Sequence, residues 1–261
     1  MVGGLSDAFD ITIFARASLP NVRSRKTTPS LLAKLVGGTA LLRRYRDLQT
    51  FAEEVAFDRQ VASRLDDCSI FQGVTGQCLS SLETVRRHGG TTILDSITAH
   101  IDEFADVGRR ECSRFGIRFP INHRMQRRMQ REYEIADKIR VMSEYAKSTI
   151  VERGIDCEKL IVAEPYYDMN EFAGVESASK PFRICYLGAL EPWKGFQHLI
   201  EAFDSLEVED AELELWGGSG SHAVTAYLDR VFSRCKKISR DVVNVRHAGF
   251  GKVFDGTSVL V

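Results

Sequence analysis

The sequence predicts an α/β protein organised on two largely parallel sheets. Three observations lead there. Short β-rich runs recur along the chain, and several are followed by glycine or polar turns and then by helical patterning, the order of a strand–helix layer architecture. A compositional break at 170–181, with Gly174, Ser177, Ser179 and Pro181 and few large apolar residues, separates two such series. The composition, 44% hydrophobic and 27% charged over 261 residues, is that of an ordinary globular chain long enough for one large or two modest domains.

In chain order, the first β-rich run is 11–14, and the next is 68–71. After Gly76, Leu79, Leu82 and Val85 recur at helical spacing. A run at 91–94 follows, and 125–136 is rich in good helix formers. Runs at 138–142 and 160–163 close the first series. Beyond the break, 183–187 is a strand candidate. Leu199, Ile200, Ala202, Phe203 and Leu206 then make an apolar helix face behind Lys194-Gly195. Strands at 212–216 and 242–245 complete the pattern, with a buried strand at 258–261. No repeat, heptad array or low-complexity tract interrupts it.

A formal charge of −1 gives no global pull toward nucleic acid or membrane. The six cysteines, Cys68, Cys78, Cys112, Cys157, Cys185 and Cys235, form no C-x-x-C pair. They read as reduced, mostly buried thiols in a cytoplasmic protein, without a zinc site or disulfide framework. The first twenty residues lack a basic leader region, and no apolar run approaches the roughly 20 residues of a spanning helix, so membrane contact is expected to be peripheral at most. The arginine-rich stretch 109–140 is interleaved with Glu111, Glu132, Glu134 and Asp137 and reads as a solvated helix face. It has no aromatic stacking pattern that would suit RNA. His88, His123, His198, His222 and His247 match no metal spacing. The missing G-x-G-x-x-G fingerprint argues against a nicotinamide dehydrogenase. Both ends read as unfinished, since a strand begins after only ten residues and another is in progress at Val261.

One ordered series carries a family resemblance. Ala136-Asp137-Lys138-Ile139-Arg140-Val141-Met142-Ser143-Glu144 resembles the "AD-x-hydrophobic-x-V-x-SE" segment of family 4 retaining glycosyltransferases, which have the two-domain GT-B fold. Gly154-Ile155 and Glu158 to Val162 look like that family's next helix end and strand. Pro165-Tyr166-Tyr167-Asp168 and Phe172 loosely match its linker. Ile184 to Leu190, with Lys194-Gly195 following Gly188, is similar to the strand and loop opening its donor domain. Upstream, 67–73, 89–95 and His100 fall where the family has successive strands and an active-site histidine. The resemblance covers roughly residues 65–261.

The resemblance implies two Rossmann-like domains, 1–172 on the acceptor side and 173–261 on the donor side, the second incomplete. It implies transfer of a sugar from a nucleotide-diphosphate donor to an unidentified acceptor, with no metal or other cofactor. The fragment would lack the family's Glu-x7-Glu segment. Lys194 would meet the leaving diphosphate, beside a helix N-terminus that adds its own positive end. Gly188, Gly195 and Gly217 would line the donor site, and Gly249 the nucleotide base. His100 would contact the transferring sugar. The plainer readings are a solvated lysine at a helix start, a packed histidine at a strand end and an ordinary turn at Trp216 to Gly220. The sequence departs from the family at Ala189, where an arginine usually shares the diphosphate. Ala189 favours a non-catalytic sugar-nucleotide-binding protein as the alternative. A sugar-nucleotide epimerase of the same fold would need a carboxylate pair that the sequence does not display.

Overall fold

The computed structural model describes residues 9–16, 24–27, 46–65, 67–165, 181–206, 208, 210–241 and 253–261. The chain divides into two compact units, Met1–Ala105 with Pro120–Pro165, and Asp106–Phe119 with Tyr166–Val261. The segment Asp106–Phe119 thus folds with residues far downstream of it.

In the first unit, β1 (Ile13–Ala15) and β2 (Ser24–Lys26) pair in parallel, and α1 (Arg46–Ala62) follows. The main sheet of the described residues holds β3 (Ile70–Val74), β4 (Thr91–Ser96), β5 (Lys138–Val141) and β6 (Leu160–Val162), all parallel and adjacent in chain order. The helix α2 (Leu79–Arg87) joins β3 to β4. Two helices, α3 (Ile101–Ser113), which passes into the second unit at Asp106, and α4 (His123–Ile135), lie between β4 and β5 in the chain, and α5 (Glu144–Val151) follows β5. Burial alternates along β4 and β5, as a period-2 strand with one covered face requires. Leu94, Ile139 and Val141 of that face pack in one core with Leu82, Tyr133 and Ile150.

The residues that carry the family resemblance do structural work in this unit. The Asp137 carboxylate accepts from the Thr92 amide at 2.9 Å and its hydroxyl at 2.7 Å, clamping β5 to β4. Ser143 caps α5 by accepting from the Ala146 amide at 3.1 Å. Asn122 caps α4 in the same way, accepting from Arg124 and Met125.

The expected solvated face of 109–140 is corrected by the fold. Met125, Arg128, Met129, Glu132 and Tyr133 are buried along one side of α4, and Glu111 is buried in the second unit. Met125, Met129 and Tyr133 recur at helical spacing, and Arg128 and Glu132 fall on the same stripe, so the charges are carried inward. All six cysteines are free thiols, but only Cys78, Cys112 and Cys185 are buried. Cys157 is exposed.

In the second unit, β7 (Phe182–Leu187), β8 (Ala211–Trp216), β9 (Ile238–Asp241) and β10 (Val259–Leu260) form a parallel sheet in the order β10-β7-β8-β9. The helices α6 (Phe196–Asp204) and α7 (His222–Arg234) connect its first three strands. Leu213 and Leu215 of β8 meet Leu190, Phe196, Ile200 and Leu228 in a fully buried core. Two four-stranded parallel sheets are therefore present besides the β1-β2 pair, with β4 and β7 in different ones. The predicted strand 242–245, and the predicted linker 170–181 apart from Pro181, lie outside the described residues. Among the described residues no helix is long and apolar enough to cross a membrane.

Candidate functional site

The strand order of the second unit sets where a ligand can approach. The chain winds outward from β7 to β8 and β9, then returns to pair β10 on the other side of β7. That reversal is a topological switch point, and in open parallel sheets ligands bind outside the strand carboxyl ends at such a point. The loop leaving β7 there runs from Gly188 to Gly195, through a 3-10 turn at Pro192–Lys194.

Two of the sequence-predicted residues, Gly188 and Gly217, abut here, and Lys194 and Gly195 lie further along the same loop. The Gly188 amide donates to the Trp216 carbonyl at 3.0 Å, and the Leu190 amide to the Gly218 carbonyl at 2.9 Å, so the loops after β7 and β8 are tied together. A side chain at Gly217 would place its Cβ 1.8 Å from the Gly188 carbonyl oxygen, whereas one at Gly188 would make only ordinary contact with Tyr186. Of the two glycines, it is therefore Gly217 that close backbone approach requires. Gly195 adopts φ +81°, closing the 3-10 turn and opening α6 in one residue. Lys194 is exposed on that turn, and among the described residues no ion pair engages it.

The N-terminus of α6 has no side-chain cap. Its first amides and the adjoining Lys194 offer a positive environment suited to an anion. At Ala189, where the resemblance leads to the expectation of an arginine, the carbonyl accepts from the Tyr186 hydroxyl at 2.9 Å. Arg183 lies at the opposite end of β7, 3.1 Å from Glu214, and cannot substitute.

The Lys194 turn is gripped by the segment 108–119, a contact that no sequence feature announced. Phe119 meets the edge of Trp193 with ring centroids 5.6 Å apart, and Phe115 packs on Phe196 at 5.9 Å. Gly108 makes room for Phe119, since a Cβ there would lie 2.2 Å from its ring. Glu111 accepts from the Gln197 amide at 3.0 Å and pairs with His198 at 2.9 Å. Burial pushes the Glu111 carboxyl up, but hydrogen bonds from Gln197, Arg110 and His198 outweigh it and hold it below the ordinary carboxylate range.

His100 belongs to the first unit, at the entry to α3. It is buried, its ring lies 4.9 Å from that of Tyr133, and its amide donates to the Thr149 hydroxyl at 3.0 Å. The Asp102 amide donates to Nδ1 at 3.2 Å, which leaves Nε2 as the protonated nitrogen of the neutral ring. Burial lowers the imidazole pKa more than Asp102 raises it, so the ring is neutral near pH 7 and presents Nε2–H as a donor. Gly249 lies outside the described residues. Among those residues no group of three His, Cys, Asp or Glu side chains is placed to hold a metal.

A second cluster in the first unit was not expected. Asp58 of α1 accepts from the Ser80 and Ser81 amides at 2.6 and 2.9 Å, and Glu132 accepts from the Gly76 and Cys78 amides at 2.5 and 3.1 Å. Arg128 bridges them, bonding Asp58 and lying 3.6 Å from Glu132. The amides at the start of α2 are thus taken by the protein's own carboxylates. An i,i+4 Arg–Glu pair on the Met125–Met129–Tyr133 stripe was the available sequence signal.

No family model matches the chain, and no curated protein does. Solved structures do. Anabaena Alr3699/HepE in complex with UDP-glucose superposes with a TM-score of 0.58 at 12% identity, over 89% of this chain and 61% of that one. A glycosyltransferase from Rickettsia africae ESF-5 gives 0.58 at 11%, over 95% and 63%. The lipopolysaccharide outer core galactosyltransferase WaaB gives 0.51 at 14%, over 81% and 55%. The fold is of the GT-B type. This chain spans under two thirds of the length of each of those GT-B chains, and at such identities the match establishes architecture alone.

Proposed function

We propose that this GT-B chain belongs to a retaining, family 4-like glycosyltransferase that moves a sugar from a nucleotide-diphosphate donor to an acceptor. The observation that carries the reading is the start of α6, with no side-chain cap among the described residues, beside the turn that exposes Lys194, at the switch point of the second sheet. A diphosphate there would meet backbone N–H groups, the positive end of α6 and one ammonium, which together offset the charge that develops on a leaving diphosphate. The abutting loops at Gly188 and Gly217 leave backbone, without side chains, facing that region. Complexes of HepE with UDP and with UDP-glucose support a uridine nucleotide as the first donor to try. His100, neutral with Nε2–H as a donor, suits a sugar hydroxyl. The free thiols support a reducing, cytoplasmic setting.

Ala189 favours a second reading, a sugar-nucleotide-binding protein without transferase activity, because one cation stands where the family uses two. Calorimetric titration with UDP and UDP-glucose, followed by an assay for donor hydrolysis, separates the readings. Binding that weakens by about tenfold to a hundredfold in Lys194→Ala, the scale of losing one hydrogen bond to a charged group, is expected under both. Hydrolysis is expected only for the transferase. Equal affinity in wild type and Lys194→Ala would overturn the diphosphate role.

A further inference from the structure

Gln197 is 1% exposed, and its Nε2 donates both to the Pro192 carbonyl at 2.8 Å and to Glu111 at 3.0 Å. The same Pro192 carbonyl closes the turn by accepting from the Gly195 amide at 3.2 Å. The side-chain oxygen Oε1 of Gln197 is buried with no hydrogen-bond partner. Leaving an acceptor unpaired is costly, so each such atom calls for a compensating demand. Turning the amide over would set Oε1 against two acceptors, the Pro192 carbonyl and the Glu111 carboxylate. Glu111 therefore dictates the orientation in which Gln197 grips the turn, and the unpaired Oε1 is the consequence.

We propose that Glu111 is a positioning residue for Lys194, acting through Gln197 to hold the Pro192–Lys194 turn in its binding conformation. Phe119 on Trp193 and Phe115 on Phe196 bracket the same turn, so the segment Asp106–Phe119 serves as its cradle. The geometric half of this inference concerns the turn itself, and its functional half rests on the donor-binding reading above.

The experiment has two arms. Amide hydrogen exchange across 190–200 reads the turn without any ligand. Glu111→Ala should accelerate exchange there by about tenfold, while Glu111→Gln, which keeps a carbonyl for Gln197 to bond, should stay near wild type. Gln197→Leu cuts the link from the other side and should reproduce the alanine pattern even where Glu111→Ala folds poorly. UDP titration is the second arm. Glu111→Ala should weaken binding by about tenfold, with no further loss when added to Lys194→Ala, because the two act as one unit. Unchanged exchange in both Glu111→Ala and Gln197→Leu overturns the proposal, as does a UDP penalty that persists undiminished in the Lys194→Ala background. Accelerated exchange in a protein whose wild type binds no UDP leaves the cradle standing and removes the donor-binding reading instead.

Discussion

Replacing Arg128 with methionine removes the cation that, among the described residues, pairs with both buried carboxylates Asp58 and Glu132, and the consequence can be worked out from the contacts. Asp58 and Glu132 are both fully buried, and Arg128 also donates through Nε to the Gly76 carbonyl at 3.2 Å. Taking one partner from such a pair leaves uncompensated charge in the interior and typically costs about 3–5 kcal/mol, against a domain stability of roughly 5–15 kcal/mol. The cost should depend on pH, and its sign follows from Glu132. Burial is the largest influence and raises its pKa to about 7 from a reference of 4.5, while the Gly76 and Cys78 amides and Arg128 pull it down. A carboxyl raised in the folded state contributes stability that is complete below the unfolded pKa and is lost as pH climbs toward the folded one. For the wild type the loss should run between those two values and total on the order of 3 kcal/mol, at about 1.4 kcal/mol per unit. Without Arg128 the folded pKa rises further, so the loss should continue above neutrality. The penalty of the substitution should therefore be larger at about pH 8 than at about pH 5. Both tryptophans, Trp193 and Trp216, belong to the second unit, so neither reports directly on the first. Exchange of the β4 and β5 amides is the suitable measurement, with Glu132→Gln as the control that flattens the pH slope. A penalty below about 1 kcal/mol at pH 8, or a Glu132→Gln variant that keeps the wild-type slope, would refute the reasoning.

Two further substitutions test the local arguments. Gly217→Ala drives a methyl into the Gly188 carbonyl and should destabilise the second unit by about 1–3 kcal/mol, the usual range for overpacking. The neighbouring Trp216 gives the readout in urea titrations, and an unchanged midpoint would contradict the contact. Asn122→Ala deletes both the cap of α4 and the Nδ2 bond to the Asp47 carbonyl and should cost about 1–2 kcal/mol, while Asn122→Asp keeps the cap acceptor but loses the donor and should recover only part of that. Thermal denaturation followed by helical circular dichroism distinguishes the two variants.

Much of the architecture follows from local rules. Period-2 burial in β4 and β5, the helical spacing of Leu79, Leu82 and Val85, and the strand–turn–helix sequence from 183 onward are short-range patterns that any chain displays in order. The helix starting at Phe196 behind Lys194-Gly195 is legible for the same reason, since a positive-φ glycine and a following apolar stripe are local features. The stripe on α4 was equally local, but composition concealed it: charged residues outnumber apolar ones there, and only spacing reveals that Arg128 and Glu132 share the side of Met125 and Tyr133.

By itself, then, the sequence determined the strand and helix series, the α/β class and the position of the Lys194 turn between a strand and a helix. Tertiary structure alone decided which glycine is sterically required, because the clash at Gly217 comes from a strand neighbour 29 residues away in the chain. It alone decided that Asp58 reaches Arg128 and that Glu111 reaches Gln197, partners separated by 70 and 86 residues. No sequence pattern encodes such pairs, because two polar groups far apart in a chain carry no mark of each other. What brings them together is the packing of apolar faces, Met125 and Tyr133 in one unit and Phe115, Phe119 and Phe196 in the other. Once buried by that packing, each carboxylate must find a partner or take up a proton.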